Sequence, residues 1–139
     1  MPYPEYICEP MRKDLTSEGF TEWKTPEDVN TAFANTKGTM FVVVNSVCGC
    51  AAGAARPGVK KALSVSAKKP GSIATVFAGQ DLEATAEARK FFLPYPPSSP
   101  SMGLFKDGKL IHFVERHQIE GRNADMIAEH LQMVFEEHC

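Results

Sequence analysis

The chain has 139 residues, 43% of them hydrophobic, which suits one compact domain that can bury a core without disulfide or metal staples. Its 15 basic and 17 acidic residues are mixed along the sequence and leave a formal charge of -2, so no basic stripe is available to grip a nucleic-acid backbone. No apolar run approaches the ~20 residues that span a bilayer, and MPYPEYICEP carries acids and prolines where a secretory signal would place basic residues and an apolar block, so the cytoplasm is the expected compartment.

Residues 9 to 19, EPMRKDLTSEG, read as a short helix closed by Gly19. Thr25-Pro26-Glu27-Asp28 then supplies a cap, a proline at the first helical position and two acids where the helix dipole favours them, which predicts a helix to about Ala34 and a turn at Lys37-Gly38. TMFVVVN, residues 39 to 45, is a continuous β-branched and aromatic run, the pattern of a strand covered on both faces. After SVCGCAA, small residues lead through Arg56-Pro57-Gly58 into VKKALSVSAKK, a helix whose early part Pro57 interrupts or kinks. A second strand is expected at 72 to 78, a helix from Asp81 to Phe92, a proline-rich connection PYPPSSP, and a hairpin turned by Asp107-Gly108. Ala124, Ile127, Leu131, Val134 and Phe135 share one face of a final helix capped by Asn123. This order predicts an α/β sandwich of parallel strands plus an antiparallel hairpin, with helices on both faces of a mixed sheet.

SVCGCAA carries the chemistry. It lies between a buried strand and a helix N-terminus, in a compartment where closely spaced cysteines point to catalysis, redox sensing or metal rather than to structural bridges. A helix N-terminus stabilises a thiolate, so Cys48, which precedes the helix, is the better nucleophile, and Cys50 can attack a mixed disulfide formed on it. Residues two apart in extended chain sit near the ~6.8 Å limit for a disulfide, so Gly49 is expected to let the chain fold tighter. A soft-metal site for Cu(I) or Zn²⁺ needs more ligands than Cys48 and Cys50 supply, and only Cys8, His112, His117 and His130 could add them, without zinc-like spacing. Two small buried hydrophobes are the third possibility.

Two further segments bear on this choice. PSMGLFKDGKLIHF, starting at Pro100, resembles the part of thioredoxins in which a cis-proline opens an antiparallel strand that runs into a hairpin. The buried strand, the cysteine motif and the proline-interrupted helix occupy the matching places, although thioredoxins have C-x-x-C where this chain has Cys48-Gly49-Cys50. Over its whole length, including NSVCGCAAGAARPGV, PYPPSSPS and RHQIEGR, the sequence is similar to the bacilliredoxin family. That resemblance implies a thioredoxin-like fold, with residues 39–139 as the core and residues 1–38 as a helical N-terminal extension. It also implies a thiol-disulfide oxidoreductase that removes bacillithiol or a similar small thiol from protein mixed disulfides, with Cys48 attacking, Cys50 as second thiol and no bound cofactor. A disulfide isomerase would use the same cysteines. The Ser99-Pro100 bond should be cis and lie beside the cysteines, with Ser99 and Ser101 aligning the incoming disulfide.

Arg116, His117 and Arg122 cluster in the loop before the last helix, where ordinary surface charge competes with a binding role. Bacillithiol carries a malate moiety, so Arg122, supported by Arg116, is the expected holder of the small thiol's acidic end. Cys8 and Cys139 match no motif.

Overall fold

The computed structural model describes residues 3–139. TMFVVVN forms β2 (Thr39–Asn45), the central strand of a five-stranded sheet. Parallel to it runs β3 (Ser72–Phe77), and parallel to β3 at the edge runs β1 (Thr21–Trp23). On the other side β4 (Ser101–Lys106) pairs antiparallel with β2, and β5 (Lys109–Val114) antiparallel with β4, giving the order β1-β3-β2-β4-β5. Asp107 and Gly108, both with positive φ, turn the β4-β5 hairpin as the sequence predicts.

Alternation along β2 divides the core. Phe41 and Val43 pack with α3 (Arg56–Val65) and α5 (Ala124–His138), while Met40, Val42 and Val44 face α2 (Pro26–Asn35) and α4 (Leu82–Arg89). Both faces of the sheet are therefore covered, which is why the strand reads as an unbroken apolar run. Among the described residues no helix is long and apolar enough to cross a membrane.

The expected caps are present. Thr25 and Asp28 form a reciprocal capping box on α2, and the Asn123 side chain accepts from the Met126 N–H at the start of α5. Asp81 precedes α4 but does not cap it with its side chain, because its carboxylate is taken by Arg12, 2.7 Å away. That ion pair belongs to α1 (Glu5–Thr16), which starts a turn earlier than its sequence suggests and carries Pro10 inside it. Buried Arg12 bonds Glu5, Glu22 and Asp81 and lies over the Phe77 ring, so tertiary contacts hold the first turn that propensity alone would not. Residues before 39 supply the two expected helices and also β1, whose three residues are too few for alternation to show.

Pro57 does not break its helix. The discontinuity is a π-helical stretch just upstream, Ala51–Ala55, in which the Arg56 N–H reaches back to the Ala51 carbonyl. Two residues on, a Cβ at Gly58 would stand 2.7 Å from the Ile127 side chain, so only glycine lets α3 approach α5 this closely. Gly58→Ala should therefore destabilise the fold by about 1–3 kcal/mol despite its better helix propensity, measured as a lower urea midpoint; an unchanged or higher midpoint would show that the helices can separate freely.

Candidate active site

The inward position that follows Val43 on β2 is occupied by Asn45, a polar residue only 1% exposed. Its Oδ1 accepts from the Ser46 N–H and from Arg56 Nη1, both at 2.9 Å, and its Nδ2 donates to the Met11 carbonyl of α1 at 3.0 Å. Arg56 Nη1 also donates to the Ser46 carbonyl at 2.8 Å, and its Nε to Asp14 of α1 at 3.1 Å. Strand end, α1 and the start of α3 are thus tied together through buried groups whose hydrogen bonds are satisfied. Neither Asn45 nor Arg56 stands out in the sequence, where the only signal is a polar residue closing an apolar run.

From this anchored end the chain passes directly into the cysteine motif. Cys48 precedes the helical turn that begins at Gly49, and the Ala51 and Ala52 N–H groups close back on the Cys48 carbonyl at 3.0 and 3.2 Å. Cys50 already has helical backbone angles. Gly49 is exposed, has no positive φ, and would meet nothing within 4 Å if given a Cβ, so its role in this reduced state is not steric. The buried Ser46 hydroxyl accepts from the Cys48 N–H at 3.3 Å.

The two sulfurs differ electrostatically. Partial burial raises the Cys48 pKa, but the backbone N–H groups of Ala51 and Cys50, the Ser46 hydroxyl and the Cys50 thiol all favour its anion and bring it below the ordinary thiol value. Cys50 moves upward, through burial first and then through the hydrogen bond and charge of Cys48, with Glu120 adding to the rise and Arg116 opposing it. One sulfur is prepared as an anion while its neighbour donates to it.

The β2-β4 register puts Ser101 opposite Val44, so the cis Ser99-Pro100 bond sits at the strand end from which the motif departs. A second cis bond, Leu93-Pro94, lies earlier in the same connection. The Ser101 hydroxyl is buried and donates to the Ser98 carbonyl at 2.9 Å. Arg116 adds two bonds to this segment, from its N–H to Ser98 Oγ at 3.4 Å and from Nη1 to the Ser99 carbonyl at 3.3 Å, and its Nε donates to Glu120. Its charge acts on both cysteines. Arg122 instead lines a 90 Å³ cavity with Met102, Gln118 and His130. His117 is exposed beside Glu115, and His112 faces His130 with their Nε2 atoms 3.0 Å apart. Cys8 is fully buried in α1, and Cys139 lies against Thr39 at the far end of β2 from the motif. Among the described residues no three of His, Cys, Asp and Glu converge as a metal site.

The family model described as disulphide isomerase matches residues 3–139. A bacilliredoxin of Cytophaga hutchinsonii is 60% identical over 97% of this chain and 98% of its own length. The chain belongs to the bacilliredoxin family. Other bacilliredoxins, from Salinibacter ruber and Bacillus licheniformis, are 53% and 51% identical, covering 100% and 99% of the chain and 82% and 97% of their own lengths. Among solved structures, oxidised mitochondrial thioredoxin 3 of Saccharomyces cerevisiae matches with a TM-score of 0.56 at 14% identity, over 89% of this chain and 98% of that one. Thioredoxin O2 of Arabidopsis thaliana, also oxidised, gives 0.53 at 13% identity, over 84% and 94%. The fold is thioredoxin-like, and the chain belongs to a family of thiol-disulfide oxidoreductases.

With both thiols present and the modified residue located by peptide mass, alkylation at Cys48 should reach half its plateau rate at a lower pH than a free thiol, and alkylation at Cys50 at a higher one, since a depressed pKa populates thiolate earlier as pH rises. Ser46→Ala should move the Cys48 profile upward. Coincident profiles, or an unmoved one in the Ser46 variant, would contradict the electrostatics described above.

Proposed function

We propose that the protein removes a small thiol from mixed disulfides on protein cysteines. The Cys48 thiolate attacks the small thiol's sulfur; a Cys48–small-thiol disulfide forms, the old bond breaks, and the client cysteine leaves as a thiolate that takes up a proton. In the next step Cys50 loses its proton, attacks Cys48 and expels the small thiol, leaving a Cys48–Cys50 disulfide to be reduced by further low-molecular-weight thiol. Alternatively, a second small thiol attacks the adduct directly and carries away the disulfide. The observation that carries this reading is the opposite displacement of the two pKa values, which provides a nucleophile and keeps the second thiol protonated until it is needed.

Bacillithiol or a similar small thiol is the cosubstrate, and the exchange requires no bound cofactor or metal. A reducing cytoplasm would regenerate the pair. The register of residues 99–101 supports a role for Ser99, Pro100 and Ser101 in aligning the incoming disulfide. For the small thiol's acidic end, Arg116 has the stronger support because its charge reaches both cysteines, with Arg122 further along the same loop. Isomerisation of protein disulfides is the second reading, favoured by the description of the family model.

Reduced protein offered peptides carrying a bacillithiol or glutathione mixed disulfide should acquire the small-thiol mass on Cys48. Cys48→Ser should lose this attack, whereas Cys50→Ser should attack once and accumulate the adduct. Turnover by Cys48→Ser would overturn the mechanism, and activity confined to peptides with internal disulfides would favour the isomerase. Arg116→Ala should lower the ratio of attack rates on charged and uncharged mixed disulfides roughly tenfold, the scale of one lost charge-assisted bond.

A further inference from the structure

The arginines around this end of the sheet differ in how they are neutralised. Arg12 holds three carboxylates, Arg56 holds Asp14 and Arg116 holds Glu120. Arg122 and Arg89 are paired with no carboxylate among the described residues, and of these two Arg89, on the last turn of α4, is the one with a buried, unpartnered nitrogen. Its Nε is buried and has no hydrogen-bond partner there, and its side chain makes one long hydrogen bond, 3.5 Å from Nη2 to the Ser98 carbonyl. A guanidinium has five N–H donors, so this one is largely unused although partly withdrawn from water, and burial with no compensating anion lowers its pKa.

The contact it does make is at the segment that opens β4. Arg89 reaches the Ser98 carbonyl from the helix on one face of the sheet, while Arg116, from the turn leading to the opposite face, bonds Ser98 Oγ and the Ser99 carbonyl. Two cations therefore bracket residues 98–100, next to the strand end that carries the cysteines. Glu120 offsets the charge of one of them. The other is left to attract an anion, and the planar fork of a guanidinium matches a carboxylate.

We propose that Arg89 is an anion-binding residue of the active site, taking a carboxylate of the small thiol while that thiol is joined to a client or to Cys48. Its recessed position suits a small group better than the surface of a folded client. This rests on the oxidoreductase reading above and adds to it a specificity residue on a different element from the Arg116–Arg122 loop.

The test uses the full chain and one neutral peptide carrying either a glutathione or a 2-mercaptoethanol mixed disulfide, which differ in the carboxylates of the small thiol. The wild type should attack the glutathione disulfide faster, and Arg89→Met should reduce the ratio of the two rates roughly tenfold, with Arg89→Lys recovering part of it. Independently, succinate titrated into the wild type should shift the Arg89 Nε–H resonance saturably, a readout that does not depend on either variant folding. An unchanged ratio in a folded Arg89→Met together with an unmoved resonance would overturn the proposal and leave the oxidoreductase reading standing. Failure of the wild type to attack either disulfide would overturn both. A ratio that follows an acidic residue in the peptide, not the small thiol, would assign the site to the client and also refute the proposal.

Discussion

The buried Arg56 guanidinium and the amide of Asn45 are the contact on which the site depends. Asn45 ends β2 on the face turned toward α3, Arg56 begins α3, and together they fix the backbone of Ser46 from both its N–H and its carbonyl. Everything between them, including both cysteines, is a loop and a wide helical turn closed at its two ends. A buried network of this kind is costly when incomplete, and here each Asn45 side-chain group has a partner. The same network recruits α1 through Met11 and Asp14, so the N-terminal helix supports the candidate site.

With its ends held, the motif can present one sulfur to the Cys50 and Ala51 N–H groups and to Ser46 while the other enters the helix. Proximity of the two thiols would by itself raise both pKa values if both ionised, since like charges oppose each other. Asymmetric donors break that symmetry. The Ala51 and Cys50 N–H groups favour an anion at Cys48, and the Cys48 anion in turn keeps Cys50 protonated. The π-helical stretch that follows lets the chain pass from this geometry into α3 without losing the close α3–α5 contact at Gly58.

Register supplies the third wall of the site. Because β4 pairs with β2 from Ser101 opposite Val44, the connection before it returns to the same end of the sheet, bringing Ser98 and Ser99 within reach of Arg116 and Arg89. Arg89 of α4 and Arg116 after β5 are far from Cys48 in the chain, yet both reach the 98–99 segment beside the strand end that leads into the cysteine motif. A thioredoxin-like sheet thus converges elements of both faces on a single strand end, where the proposed exchange would use an anion, a second thiol and a backbone edge together.

Much of the architecture was legible from local pattern: the unbroken apolar β2, the Asp107-Gly108 turn, and the caps at Thr25 and Asn123 depend on neighbouring residues and the periodicity of the backbone. So was the position of the cysteine pair between strand and helix, which is a matter of chain order. What the pattern did not show are contacts between residues distant in sequence. The edge strand β1 exists because β3 is there to pair with it, α1 begins early because Arg12 finds Glu22 and Asp81, and Asp81 is diverted from capping by the same ion pair. Asn45 and Arg56 become a buried network, Arg116 comes to act on the cysteines, and Arg89 is left without a carboxylate, only once the sheet has closed. The sequence by itself determined most of the elements and the place of the cysteine pair among them, because propensity, turn chemistry and thiol content are local. Tertiary structure alone decided which charges surround that pair, because Coulombic and hydrogen-bond partners are chosen by distance in space, not by distance along the chain.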